Sequence, residues 1–224
     1  MELVDRLEGA CRWFKVGMEL YYVAGNSVIQ RLRERGFEVF LDLKLHDIPN
    51  TVAGAVRTVT TTGSSLLTVH AGGGERMMRA AAEAAGAPGA PRLLAVTVLT
   101  SMDEADLRAV GVCDAGDGMG PGLAQAQVLR LARLARGAGI NGLVCSAEEV
   151  AAVRAAMGPD ALLVVPGIRA TRSDAGDQSR VATAAEAIVR GASMLVVGRP
   201  ITRAADPAKA AAAILAEIAG ASQA

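Results

Sequence analysis

Short, continuous apolar runs recur along the chain, each followed by a segment with helical periodicity. The runs are Trp13–Val16, Phe37–Leu43, Leu66–Val69, Leu93–Leu99, Gly142–Cys145, Leu162–Val165 and Met194–Val197. A strand that is apolar at every position, not at every second one, is buried on both faces, which is how strands of a helix-covered parallel sheet read. Between the runs, helices are predicted over Glu2–Cys11, Glu19–Arg35, Pro49–Thr62, Glu75–Ala85, Leu123–Arg136, Arg180–Arg190 and Asp206–Ala219, with one more capped by Ser146. Glu149, three residues on, completes a capping box there. Asp103–Gly120 reads as a longer loop with one helical turn near Glu104–Val110, and Ile168–Ser179 as a polar loop.

Seven strands alternating with eight helices predict an α/β fold. The order begins with a helix, whereas a (β/α)8 barrel begins with a strand. The simplest account is a (β/α)8 TIM barrel with the N-terminal first strand missing from this chain, a single domain over residues 1–224 that starts within the first helix. No Gly-x-Gly-x-x-Gly follows an early strand, so a doubly wound open sheet ranks second.

The chain carries 23 basic and 23 acidic residues, for zero formal net charge. That balance argues against a nucleic-acid or anionic-membrane partner. No apolar run is long enough to span a bilayer, and Met1-Glu2-Leu3-Val4-Asp5 does not open like a signal peptide. Cys11, Cys113 and Cys145 are scattered, odd in number and without metal-type spacing, so reduced thiols in a cytoplasmic protein are expected. Lysine occurs only at positions 15, 44 and 209. Arginine keeps its proton at working pH and lysine can release one, so a lysine at a strand end in an arginine-biased chain hints at proton chemistry.

Two of those lysines stand at strand ends. Asp42 and Lys44 are two apart, and residues i and i+2 of a strand share a face. A carboxylate and an ammonium are thus expected side by side at the mouth of the sheet, with Asp47 just beyond and Pro49 opening a helix. A lone Asp-x-Lys is ordinarily a structural ion pair. In a (β/α)8 barrel the site lies at the C-terminal strand ends, which gathers Lys15, Asp42, Lys44, His70, Thr100, Ser101, Arg169, Gly198 and Arg199. Gly198 lets backbone N–H groups approach an anion, Pro200 suits a first helical turn, and Arg169 and Arg199 add fixed charge, so the last two strands read as a phosphate site. Arg172, Asp174, Gly176 and Asp177 lie on a loop suited to act as a lid. His70 reads as a hydrogen-bonded strand-end histidine, and His46 has no assigned role.

The run Asp42-Leu43-Lys44-Leu45-His46-Asp47-Ile48-Pro49-Asn50-Thr51 resembles the active-site motif Asp-x-Lys-x-x-Asp-Ile-Pro-x-Thr of the bacterial orotidine 5'-monophosphate decarboxylase family. Phe14-Lys15-Val16-Gly17-Met18-Glu19-Leu20, Val69-His70-Ala71, Val96-Thr97-Val98-Leu99-Thr100-Ser101, Pro166-Gly167-Ile168-Arg169, Asp177-Gln178 and Val196-Val197-Gly198-Arg199 extend the resemblance across nearly the whole chain. It implies a cofactor-independent, metal-free carbon–carbon lyase of pyrimidine biosynthesis that converts orotidine 5'-monophosphate to uridine 5'-monophosphate. Lys15, Asp42, Lys44 and Asp47 would form a charged tetrad, with Lys44 the proton donor to C6 and Asp42 beside the substrate carboxylate. Asp47, with Ile48 and Thr51, would reach into the neighbouring subunit's site in a homodimer. Thr100 would touch the pyrimidine or ribose, and Arg169, Gln178, Gly198 and Arg199 would hold the phosphate. The family's first strand, with its ribose-binding Asp, has no counterpart in this sequence.

Three other functions compete. One is a truncated, non-catalytic nucleotide-phosphate binder. Another is a magnesium-dependent sugar-phosphate decarboxylase of the same superfamily, whose members carry a carboxylate where Lys15 stands. The third is a Schiff-base lyase acting through Lys44, disfavoured because flanking carboxylates keep a lysine protonated and a nucleophilic lysine must be neutral.

Overall fold

The computed structural model describes residues 1–112, 122–169 and 182–221. In chain order the elements are α1 (Glu2–Arg6), β1 (Trp13–Gly17), α2 (Met18–Ala24), α3 (Asn26–Glu34), β2 (Glu38–Leu45), α4 (Pro49–Thr60), β3 (Leu66–His70), α5 (Gly74–Ala84), β4 (Arg92–Val96), α6 (Glu104–Ala109), α7 (Leu123–Gly137), β5 (Gly142–Val144), α8 (Val150–Met157), β6 (Leu162–Val165), α9 (Ala184–Val189), β7 (Met194–Leu195), α10 (Arg199–Thr202) and α11 (Pro207–Ala221). The seven strands belong to one sheet whose order follows the sequence, β1 through β7. β1 to β4 pair in parallel, as do β6 and β7. An order without reversal is the single winding of the (β/α)8 class; a doubly wound sheet reverses at a switch point. Among the described residues the seven expected strands are therefore found, and the helix-first order with them.

Contacts gather the described residues into two compact units. One comprises Arg12–Thr97 with Leu131–Leu143, the other Met1–Cys11 with Val98–Arg130 and Val144–Ala224. In the first, Val39, Phe40, Leu41, Leu66, Leu67, Val69, Leu93, Leu94 and Ala95 are buried. Consecutive buried residues mean that both strand faces are covered, as the apolar runs require. Helix α4 supplies cover with Val52, Ala53, Val56 and Val59 on one stripe, and packs against α5, which buries Met77, Met78 and Ala81. Each of these valines and methionines contributes about 1.5–3 kcal/mol on burial. In the second unit Leu163, Val164 and Val165 are fully buried, and α11 packs on α9.

Several boundaries differ from expectation: α1 stops at Arg6 rather than Cys11, β2 spans Glu38–Leu45 rather than Phe37–Leu43, and β7 ends at Leu195 rather than Val197. Strand β4 ends at Val96 rather than Leu99. Ser146 does not cap α8: its N–H and hydroxyl both bond the buried Glu149 carboxylate, and the helix starts one residue after that. The helix predicted over Glu19–Arg35 is broken at Gly25, whose φ of 58° and ψ of −149° lie in a region essentially reserved for glycine. Here α2 stops and α3 begins, with Ile29 and Leu32 buried in the core. Gly25→Ala is expected to lower stability by about 1–3 kcal/mol, read as a lower urea midpoint at unchanged m-value. An unmoved midpoint would mean that the junction relaxes at no cost.

Candidate active site

The site is built where β1 and β2 end. Their register pairs Lys15 with Phe40 and Gly17 with Asp42, so Lys15, Asp42 and Lys44 emerge on one face. Lys44 Nζ lies 2.9 Å from both Asp42 oxygens, and Lys15 Nζ is 3.4 Å from Oδ2. The Asp42 side chain is only 13% exposed, against 36% for Lys15 and 30% for Lys44. Burial alone would raise the Asp42 pKa; the Lys44 hydrogen bond, the charges of Lys44 and Lys15 and a hydrogen bond from Thr68 outweigh it and hold the carboxyl below its ordinary value. The carboxylate therefore stays ionised at neutral pH and keeps two ammonium groups converged at the strand ends.

The backbone bends to achieve this. Lys44 is the one non-glycine among the described residues with positive φ, at 49°. The β2–β3 register shifts at the same place: Leu41 stands opposite Leu67, but Leu45 stands opposite Val69. Four positions of β2 thus span two of β3, and the ladder is interrupted across Asp42–Lys44. The fully buried Thr68 of β3 fills the gap. Its Oγ1 accepts from the Lys44 N–H at 2.8 Å and donates to Asp42 Oδ1 at 3.0 Å. Sequence reasoning passes over Thr68; its one signal is a lone hydroxyl inside the apolar run Leu66–Val69.

His46 and His70 stack beside this group, ring centroids 5.1 Å apart and planes at 13°. His70 Nδ1 accepts the Gly72 N–H at 3.1 Å, which leaves the ring proton on Nε2 when the ring is neutral. Burial, then the neighbouring His46 and Lys44 charges, push the His70 pKa below its ordinary 6.5. The unfolded chain then binds more protons below about pH 6.5, so this contribution to stability is full above that pH and is lost as pH falls through the folded-state pKa. The melting temperature is expected to fall between pH 7.5 and 5.5, by less in His70→Gln, with a slope of at most about 1.4 kcal/mol per pH unit from this group. Equal slopes in the two proteins, followed by scanning calorimetry, would refute it.

Asp47, Ile48 and Thr51 are exposed at the start of α4. The Asp47 carboxylate accepts the Ile48 N–H at 2.6 Å, and the ion pairs around Asp42 do not include it. In the other unit Thr100 is half-buried. Arg169 is 9% exposed and donates from Nη1 to its own neighbour's carbonyl, Ile168 O, at 2.9 Å. The Gly198 carbonyl accepts the Ile201 and Thr202 N–H groups, both at 2.9 Å, and so starts α10 with Arg199 and Pro200 in its first turn. Gln178 and the loop residues Arg172, Asp174, Gly176 and Asp177 lie outside the described residues. Among the described residues no three His, Cys, Asp or Glu side chains group as metal ligands, and no helix is long and apolar enough to cross a membrane.

An ammonium locked on a buried carboxylate, with a second ammonium beside it, can stabilise negative charge developing at its tip and then deliver a proton there. The sequence model of the family described as "Orotidine 5'-phosphate decarboxylase / HUMPS family" matches residues 1–214. A protein of Anaeromyxobacter sp. (strain K) named orotidine 5'-phosphate decarboxylase is 56% identical over 202 residues, covering 90% of this chain and 85% of that one. One of the same name from Dichelobacter nodosus (strain VCS1703A) is 54% identical over 209 residues, covering 93% and 87%. The crystal structure of orotidine 5'-phosphate decarboxylase from Lactobacillus acidophilus matches with a TM-score of 0.77 at 42% identity, covering 91% of this chain and 85% of that chain.

Proposed function

We propose that this chain, which belongs to the orotidine 5'-phosphate decarboxylase / HUMPS family, decarboxylates orotidine 5'-monophosphate to uridine 5'-monophosphate, the closing step of pyrimidine nucleotide synthesis. The observation that carries the reading is the bidentate Lys44–Asp42 pair with Lys15 on its flank. The C6–carboxylate bond breaks heterolytically, CO2 leaves, and the electron pair stays on C6. Lys44 stabilises that charge by its position and donates a proton to C6; solvent then reprotonates the amine. Asp42 sits beside the departing carboxylate and holds Lys44 in place through both of its oxygens, with Lys15 on the flank of the same carboxylate. No cofactor takes part in this scheme.

Arg169, Gly198, Arg199 and Gln178 are assigned to the phosphate and Thr100 to the pyrimidine or ribose. Binding energy from the phosphate, remote from C6, then serves to assemble the reacting groups. Asp47, Ile48 and Thr51 are assigned to the neighbouring site of a homodimer; their exposure at the α4 start supports that role. The protein is read as a cytoplasmic, single-domain enzyme.

The test is to mix the protein with orotidine 5'-monophosphate, follow loss of the orotate absorbance and measure CO2 released, with and without chelator. Stoichiometric turnover that survives chelation supports the assignment. Turnover lost to chelator would transfer it to a metal-dependent sugar-phosphate decarboxylase, and tight binding without CO2 to a non-catalytic binder.

A further inference from the structure

We infer that Thr68 is a positioning residue for the ion group: its hydroxyl, inserted where the β2–β3 ladder is interrupted, fixes both the Asp42 carboxylate and the backbone turn that aims Lys44. The inference rests on the decarboxylase reading for its kinetic arm only.

The geometry leaves the hydroxyl no freedom. Thr68 Oγ1 accepts the Lys44 N–H at 2.8 Å, so its single proton must point elsewhere, and Asp42 Oδ1 at 3.0 Å takes it. One buried oxygen therefore joins the two residues whose relative placement defines the site. Both contacts cross from β3 to β2, and neither could come from the ladder, because four positions of β2 pass two of β3 there. Lys44 holds a φ of 49°, a conformation disfavoured for any residue with a Cβ. Such a conformation persists only where its surroundings over-determine it. The hydrogen bond from the Lys44 N–H is the restraint nearest the turn. Thr68 itself is immobile: it is fully buried, its χ1 is limited by β-branching, and its neighbours Leu67 and Val69 are fully buried too.

The carboxylate depends on the same oxygen. The groups facing Asp42 are Lys15 from β1, Lys44 from β2 and the Thr68 hydroxyl from β3, with His70 farther along β3 close enough to feel the Lys44 charge. The two lysines are half-exposed and long, so they can follow a carboxylate that rotates. Thr68 is the buried partner that stops it from rotating. A valine has the same shape and neither hydrogen bond, whereas a serine has both.

Thr68→Val and Thr68→Ser are the test, with folding checked by circular dichroism. For Thr68→Val, kcat on orotidine 5'-monophosphate is expected to fall at least about 30-fold while KM stays within about threefold, because Thr68 is fully buried and acts through Asp42 and Lys44. Thr68→Ser is expected to return kcat to within about fivefold of the parent. In carbon-13 NMR the Asp42 carboxyl of Thr68→Val is expected to titrate at higher pH than in the parent, having lost a donor to its ionised form. That spectrum needs no turnover, so a parent protein inactive on the substrate would sink the decarboxylase assignment while the titration still decided the role of Thr68. A folded Thr68→Val with kcat within threefold, an Asp42 titration that does not move, or a serine variant as impaired as the valine one would each overturn the inference. Should Thr68→Val not fold, Thr68→Cys, of similar size with a weak S–H donor, is judged by the same criteria.

Discussion

Lys44→Ala is expected to lower kcat by at least about 10⁴-fold, the largest effect of any single substitution in this chain. Lys44 combines two functions that are usually separate. Loss of one preorganised charge-stabilising donor typically costs about 10²–10³ in rate, and loss of a positioned proton donor about 10²–10⁴. In a reaction that leaves an electron pair on carbon with no cofactor to accept it, neither has a substitute. Lys15 is the nearest other ammonium, but it stands 3.4 Å from Asp42 Oδ2, farther than Lys44, and sits on a different strand. Lys44→Arg is expected to recover little, because arginine keeps the charge and cannot release the proton. The fold should survive both changes: Asp42 retains Lys15 and the Thr68 hydroxyl, and the side chain lost is part-exposed. Lys44→Gly separates chemistry from stability. It is as inactive as alanine, yet it relieves a positive φ that costs a residue with a Cβ about 1–2 kcal/mol, so it should melt above Lys44→Ala. Lys44→Ala retaining kcat within 100-fold of the parent would remove Lys44 from the chemistry.

The i, i+2 spacing of Asp42 and Lys44 was enough to place an ion pair at a strand end, because face-sharing on a strand is a local property. The seven strands were legible for the same reason: each is a run whose composition needs no partner to identify it. What the spacing could not show is how the pair is held. Thr68 lies 26 residues from Asp42 and 24 from Lys44, and its part depends on a break in register between two strands. Periodicity has no information about which residue of one strand faces which of the next. The left-handed turn at Lys44 is invisible as well, since Leu-Lys-Leu contains no glycine or asparagine to announce it. Asp47 lies past the end of β2, where the chain turns into α4 and the carboxylate accepts the N–H of its own neighbour Ile48. Gly25 was present to be noticed, but an isolated glycine within a helical pattern is compatible with an unbroken helix, and only its φ and ψ decide the matter.

Arg154→Ala is expected to destabilise the protein by about 3 kcal/mol without changing kcat. In sequence this residue is one polar position on an alanine-rich helix, the ordinary solvated face. In the structure its guanidinium is a clamp. The two N–H groups of Nη1 are shared among the carbonyls of Gly158, Pro159 and Ala161 at 2.9, 2.9 and 2.8 Å. Nε and Nη2 donate to Gly191 O at 3.1 and 2.8 Å, and Nη2 also to Ser193 Oγ at 2.8 Å. One side chain thus closes the C-terminal end of its own helix α8, the turn that leads into β6, and the segment that leads into β7. Ser193 carries the tie onward, accepting the Leu163 N–H and donating to Ala161 O. The approach also requires Gly191, because a Cβ there would stand 3.1 Å from Arg154 Cγ. A hydrogen bond from a charged donor is worth about 1.5–3 kcal/mol. Several are lost together here, but the carbonyls lie near the surface and regain water, which brings the net loss to about 3 kcal/mol and not the sum. For a domain of this length that corresponds to a fall in melting temperature of about 6–12 °C. Arg154→Lys should recover less than half of it, since an ammonium cannot reach carbonyls on three separate segments as a planar fork does. A melting temperature within 2 °C of the parent in Arg154→Ala, where about three times that is expected, would show that these segments hold without the clamp.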